Sequence, residues 1–410
     1  MWPFNHVRSP QFLVGLDIGS HSVKLAKLRC DRTGRMELVA FKTAPLPPET
    51  VVDNAIMNCA AVSNCVRELA QRAKVFGAKC AVNTSGHRVI IKKIYIPQMT
   101  AKELEESIKR EAEQYIPFDI KDINVDIQIL NHYAGQGMMD ALLVASKKDV
   151  IDDIFNVVET AGLHPVVVDA DVFACQNAFN LNYGFQPLIV ALVNIGASNI
   201  NINVVANGVT VLTRDIPIGG SLLTEKILKD LNVPWEEAEY YKTNADNDTI
   251  SSSAVLMEVR KCDEFVSEML VTEIQRSLDW FISVTIDANI ARIFLSGGAT
   301  QSRAFILALE QRLKDNQMNT AVEIVNPFCG ISIDTRRFDT DTIQALKPIA
   351  AVAIGLAMRY QGDRQAGENG VRINLAPPPQ ATKDTCKKPS IPRSWTIPIS
   401  RNWGITIVRK

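Results

Sequence analysis

The chain has 410 residues, 47% hydrophobic and 22% charged, and its 44 Lys and Arg against 45 Asp and Glu leave a formal net charge of −1. That length exceeds one ordinary core, so two or more domains are expected, and the balanced charge gives no reason to expect a nucleic-acid partner. No run of 18 apolar residues marks a membrane span, the opening MWPFNHVRSPQF lacks the apolar core of a secretory signal, and eight scattered cysteines without a C-x-x-C pair read as free thiols of a reducing cytosol.

Residues 12–44 carry three strand patterns, FLVGLDIG, SVKLAKLR and RMELVAFKT, broken at Gly19 and at Asp31-Arg32-Thr33-Gly34. A helical pattern over 53–75 and the strand AKCAVNT follow, then a strand over 88–97. Thr100 and Glu103 form a capping box for a helix whose stripe is Leu104, Ile108, Ala112 and Tyr115 and which stops before Pro117. The strands INVDIQILNHY and MMDALLVAS, a helix over 149–161 and the strand HPVVVDA complete a unit of about 86–170. It looks like an insertion ahead of a helix over 171–184.

From 187 the pattern restarts with three strands, LIVALVNIG, NININVVAN and TVLTRDIPIGG. Ile200, Ile202 and Val204 lie on one face of the middle strand, and Asn199, Asn201 and Asn203 on the other. Helices over 221–231, 234–242 and 254–283, the strand ARIFLSGGAT, a helix over 302–314, the strand VEIVNPF and a helix over 347–360 follow. The expected organisation is a first lobe at 11–186, a second at 187–346 with a helical subdomain about 221–289, a closing helix at 347–362 and a tail at 363–410. That tail is basic and Pro-rich, so it reads as a disordered segment or an extended arm.

Sliding the first unit by 177 positions lays Leu16-Asp17-Ile18-Gly19 on Val193-Asn194-Ile195-Gly196. A buried strand, a tight Gly turn and a return strand gather backbone N–H groups into an anion cradle. Small residues, Gly19, Ser20 and Ser22 in one turn and Gly196, Ala197 and Ser198 in the other, admit a polyphosphate close to the backbone. Gly297 and Gly298 offer a third turn, between a strand and a helix, against which a base or ribose can rest.

The segments DIGSHSVK, NIGASNININVVANG, IPIGGSLLTEKI, EIQRSLDWF and SGGATQSRAF resemble the phosphate and adenosine motifs of the actin/Hsp70/sugar-kinase ATPases. The wording is similar to the PilM proteins of type IV pilus assembly, relatives of the division protein FtsA. KKIYIPQMTAKELEESIKREAEQYIPFDIKDINVDIQIL resembles the subdomain that PilM and FtsA share. The resemblance covers about 11–360.

It implies an α/β, actin-like fold, ribonuclease H-like and duplicated into two lobes, with ATP and Mg2+ between them. It also implies a cytoplasmic scaffold at the inner face of the inner membrane, serving pilus assembly and twitching motility. Such a scaffold grips the N-terminal cytosolic peptide of the inner-membrane protein PilN in a groove beside the inserted subdomain and ties it to the pilus motor or platform. Membrane association then runs through partners, and a homo-oligomer stays open.

Carried over by resemblance, Asp17 organises Mg2+, mostly through water, and Lys24 pairs with phosphate beside Gly19, Ser20 and Ser22. Gly196, Ala197 and Ser198 make the second loop, Gly219 and Gly220 pass the ribose, Glu273 and Arg276 hold ribose and adenine, and Gly297, Gly298 and Ala299 form the adenine-side turn. Gln176 lies where the family keeps a water-orienting residue, and His21 reads as a surface turn residue. Asn194 departs from the usual Asp, and losing that charge implies slow or absent hydrolysis. The tail's Ile373-Asn374-Leu375 matches the I-N-L-x-P form of PilN-type peptides, so it is expected to dock on this chain or a neighbouring copy. Two alternatives are an FtsA-like division or filament protein and a small-molecule kinase, for which Asp169 and Asp171 are the candidate bases.

Overall fold

The computed structural model describes residues 11–31, 34–133, 137–184, 186–245, 250–285, 289–359, 370–377 and 406–407. Strands β1 (Gln11–Ile18), β2 (Ser22–Cys30) and β3 (Met36–Pro45) form an antiparallel meander whose register pairs Asp17 with Lys24. The helix expected from 53 begins later. Asp53 and Asn54 take left-handed backbone angles in a short hairpin of β4 (Val51–Val52) and β5 (Ala55–Ile56), a conformation that Asp and Asn tolerate. Helix α1 (Cys59–Arg72) starts after Asn58, whose side chain accepts from the Ala61 N–H at 3.0 Å.

Strand β6 (Lys79–Thr84) runs parallel to β1. An inserted layer follows: β7 (Val89–Pro97), α2 (Ala101–Glu113), β8 (Ile123–Tyr133) and β9 (Met138–Lys147). Thr100 and Glu103 make the expected capping box, and Leu104, Ile108 and Ala112 bury against the inserted sheet. This layer is shorter than the sequence pattern indicates. Helix α3 (Lys148–Thr160) packs its Val150, Ile151, Ile154 and Val157 stripe into the core shared with α1, and β10 (His164–Ala170) pairs parallel to β6. Burial of those faces returns both elements to the first lobe.

Helix α4 (Asp171–Tyr183) leads to β11 (Ile189–Ile195), β12 (Ile200–Ala206) and β13 (Val209–Ile216), a second meander whose register pairs Asn194 with Asn201. The 177-residue offset thus holds for both cross-strand partners. Both faces of β12 are buried: Ile200, Ile202 and Val204 in the second lobe's core, and Asn201 and Asn203 on the side of α4. Helices α5 (Ser221–Leu231), α6 (Trp235–Asn244) and α7 (Ser253–Val284) precede β14 (Ile290–Ser296), α8 (Arg303–Asp315) and β15 (Ala321–Ile324). The chain then crosses back through β16 (Ile331–Ile333) and α9 (Thr340–Leu346) to α10 (Ala351–Met358). Lys347–Ile349, expected as the start of that last helix, is a separate 3-10 turn.

The first sheet has the order β10-β6-β1-β2-β3-β16 and the second β13-β12-β11-β14-β15. In each, a parallel strand joins the free side of the meander's first strand. The inserted sheet runs β8-β9-β7, with β17 (Thr406–Ile407) beside β8. Residues 370–377 carry no helix or strand, and Val371, Ile373 and Leu375 are packed into the first lobe's core. The rest of the expected tail, 363–369, 378–405 and 408–410, lies outside the described residues.

Helix α10 is buried on every side and approaches its neighbours backbone to backbone. A Cβ on Gly355 would stand 1.8 Å from Ala174 O of α4, and one on Gly15 2.1 Å from Ala353 O. Overpacking of this kind costs about 1–3 kcal/mol because the neighbouring backbone cannot yield cheaply. Gly355→Ala is therefore expected to lower urea-unfolding stability by at least about 1 kcal/mol, measured against wild type at equilibrium.

Candidate functional site

A cavity of about 660 Å³ opens where the two meanders meet, and twelve of the sequence-expected site residues line it: Asp17, Gly19, Ser20, Ser22, Lys24, Asn194, Gly196, Ala197, Gly220, Gly297, Gly298 and Ala299. Asp17 ends β1, and its cross-strand partner Lys24 donates Nζ to Oδ2 at 3.0 Å. Asn83, at the end of β6, donates Nδ2 to Asp17 Oδ1 at 3.2 Å and to Asp171 Oδ1 at 2.9 Å. Its Oδ1 also accepts the Ile18 N–H at 2.7 Å, so one amide fixes two carboxyl groups against the first loop.

The two loops face each other. Ser20 Oγ donates to Ser198 Oγ at 2.9 Å across 178 residues of sequence. The amides of Gly19 and Gly196 are spent within their own turns, on Ser22 O at 3.1 Å and Asn199 O at 2.9 Å. Asn194 sits in a chain of amides that ends on a carboxylate: it accepts from Ser296 Oγ at 3.1 Å and donates to Asn201 Oδ1 at 3.3 Å, and Asn201 donates to Asp215 at 2.6 Å.

Several expected residues stand elsewhere. Gly219 supports the second loop rather than lining the cavity, since a Cβ there would meet Ala197 O at 2.5 Å. Glu273 and Arg276 form an exposed pair outside the cavity. Helix α7 passes the cavity with Asp263, Val266, Ser267 and Leu270, and Glu273 lies about 4.5 Å further along the axis than Leu270 at 1.5 Å per residue. Gln176 is buried away from the cavity, accepting from Asn203 at 2.9 Å and Thr210 at 2.7 Å. Asp169 is also turned away, paired with Arg359 at 2.9 Å.

The far wall is supplied by residues that the sequence reading missed. Lys242 Nζ lies 3.2 Å from both carboxylate oxygens of Glu239, and Thr224 Oγ1 donates to Glu239 Oε2 at 2.6 Å. Leu223, Val266, Leu270 and Phe305 give this end an apolar surface. The available signal was an acid and a lysine three apart on α6, the second helix after Gly219-Gly220. His21, expected at the surface, reaches across to within 3.8 Å of Glu239.

Burial would raise the Glu239 carboxyl, but Lys242, the Thr224 hydroxyl and His21 outweigh it and hold it below its ordinary value. Burial lowers His21 against the pull of Glu239. Asp171 is pushed up to about 8, first by burial and then by the Asp17 charge beside it. The cavity thus has one end with a carboxylate and small-residue turns and another with apolar walls and a Glu–Lys pair. This donor set fits a nucleotide with a hydrated divalent cation: Asp17 offers the charge, and a side chain at Gly298 would meet nothing within 4 Å of its Cβ.

A sequence profile of the family described as type IV pilus assembly protein PilM matches residues 15–361. A solved structure described as a PilM-PilN type IV pilus biogenesis complex is similar over 85% of this chain and 98% of that one, with 26% identity and a TM-score of 0.72. The ethanolamine utilization protein EutJ from Carboxydothermus hydrogenoformans shares the fold over 85% of this chain and 90% of its own, with 17% identity and a TM-score of 0.50. The cell division protein FtsA of Bacillus subtilis (strain 168) is 32% identical over 104 residues, 25% of this chain and 23% of FtsA. The fold is that of the actin-like ATPases.

The raised Asp171 carboxyl has a measurable sign. Folded, it keeps a proton until about 8, whereas the ordinary value is 3.8, so its contribution to stability is full below about 4 and is lost as pH rises towards 8. The slope has an upper bound of about 1.4 kcal/mol per pH unit. Asp171→Asn is expected to remove this loss: urea unfolding at pH 5 and pH 8 should show the variant gaining on wild type at the higher pH.

Proposed function

The chain belongs to the family of type IV pilus assembly proteins PilM, and from that premise we propose a nucleotide-binding scaffold that docks the N-terminal cytosolic peptide of a PilN-type inner-membrane protein and links it to the pilus motor. The observation that carries the partner is the similarity, at 98% coverage of the solved chain, to a PilM-PilN complex. Among the described residues no single helix is long and apolar enough to cross a membrane. In this reading the partner supplies the membrane attachment.

ATP with Mg2+ is the ligand we assign to the cavity. Bound there, the cation would neutralise phosphate charge. Asp17 would hold the cation, Lys24 would offer its charge to phosphate, and Ser20 and Ser198 would offer hydroxyls where the two loops meet. Glu239 and Lys242 meet the ribose or base, and Leu270 and Phe305 exclude water from it. Asn194 leaves the second loop without a carboxylate, which disfavours activation of a water more than binding of the nucleotide. The nucleotide is then a structural ligand with slow turnover.

Three outcomes are expected. Glu239→Ala and Lys242→Ala each weaken binding of a fluorescent ATP analogue by about tenfold or more, whereas Glu273→Ala stays near wild type; equal effects would move the base site along α7. Asn194→Asp speeds Mg-ATP turnover, and brisk hydrolysis by wild type would remove the significance given to Asn194. Co-expression with a PilN-type membrane protein yields a complex on affinity capture. Absence of that complex, both for the full chain and for a form with residues 370–377 released, would sink the partner assignment.

A further inference from the structure

Residues 370–377 are held as a ligand is held. Val371 exchanges two hydrogen bonds with the Asn177 side chain of α4, at 3.0 and 2.8 Å. The Arg372 N–H donates to Gln128 at 2.7 Å and the Asn374 N–H to Asp126 at 2.7 Å, while Asn124 donates to Leu375 O at 2.9 Å. Those three acceptors and donors are alternate residues of β8. The opposite face of that strand, with Ile123, Ile127 and Ile129, is packed into the inserted layer's core.

On the other side lies β10, the edge of the first sheet. Its Val168 donates to Asn374 Oδ1 and accepts from the Leu375 N–H, both at 2.9 Å, and Asn374 Nδ2 donates to Val166 O at 3.3 Å. Arg359 closes the end by donating to Val371 O and Ile373 O. Between these polar contacts Val371, Ile373 and Leu375 are 3%, 0% and 1% exposed. Backbone capture at a sheet edge with pockets for alternate side chains is the general form of extended-peptide recognition.

We propose that β8, β10 and α4 form a peptide-binding groove and that residues 370–377 are its exchangeable occupant, tethered in cis. The groove walls explain why the occupant can leave. Asn124, Asp126, Gln128 and Asn177 are polar, so water can satisfy them once the segment departs, whereas the apolar pockets of Val371, Ile373 and Leu375 favour refilling by a peptide of the same pattern. A peptide of the same pattern, Val-x-Ile-Asn-Leu-x-Pro, enters from another chain only after the tethered segment is displaced. A short tether holds its ligand at an effective concentration in the millimolar range, so an outside peptide is disfavoured by tenfold or more. The identification of the competitor as a PilN-type peptide rests on the function proposed above; the exchange does not.

The test uses the full chain with a protease recognition sequence inserted between residues 363 and 364, leaving every groove residue unchanged. A fluorescein-labelled peptide of residues 369–378 is titrated by fluorescence polarisation before and after cutting. At least about tenfold tighter binding after cutting is expected. Equal affinity before and after, or no binding after cutting, overturns the proposal. Asn374→Ala in the uncut chain removes the bonds to Val166 and Val168 and should also admit the labelled peptide, and the same change in the peptide should abolish its binding. A PilN-type peptide should then displace the label from the cut chain. If it does not, the groove and its own segment stand and the competitor's identity falls.

Discussion

Helix α10 touches α4 and β1 backbone to backbone, and the placement of both sites follows from that contact. Gly355 and Gly15 make it possible, because any Cβ at either position would overlap a neighbouring main chain. The first residue of α4, Asp171, is thereby set against Asn83 and the end of β1 at the cavity. Asn177, less than two turns on, faces the segment at 370–377, and Gln176 beside it binds β12 and β13 of the second lobe. Ala351 and Val352 line the cavity from one end of α10, and Arg359, just past its other end, reaches the groove.

The duplicated meanders are related by a single offset down to their cross-strand partners, yet the two jaws differ electrically. Asp17 and Lys24 form an ion pair with side chains mostly buried, where Asn194 and Asn201 form a neutral amide pair. Substituting both members avoids leaving an unpaired buried charge in the second lobe, which would be costly. Of the two cross-strand pairs, only the first therefore carries charge. The second jaw keeps the shape and hydrogen bonding of a loop without its carboxylate.

Much of this architecture was legible in the sequence because it is local. Strand alternation, the Thr100–Glu103 box and the 177-residue repeat depend on neighbours a few residues away, and the loops they predict do meet, through Ser20 and Ser198. What escaped depends on distant packing. Nothing local in HPVVVDA says that β10 pairs with β6 rather than with the inserted strands. The alternation of INVDIQI gives no sign that its polar side is covered by a segment some 250 residues later. Helix α7 is long enough that a motif can match its sequence and still fall outside the cavity lining, as Glu273 does less than one turn beyond Leu270.

Asp169 and Asp171 are separated by one residue, Ala170, and face opposite ways. Asp171 is tied through Asn83 to Asp17, while Asp169 is locked to Arg359, which itself grips the carbonyls of Val371 and Ile373. The single residue Ala170 thus joins a carboxyl of the cavity wall to a carboxyl that supports the segment at 370–377, so one strand-to-helix junction serves both places.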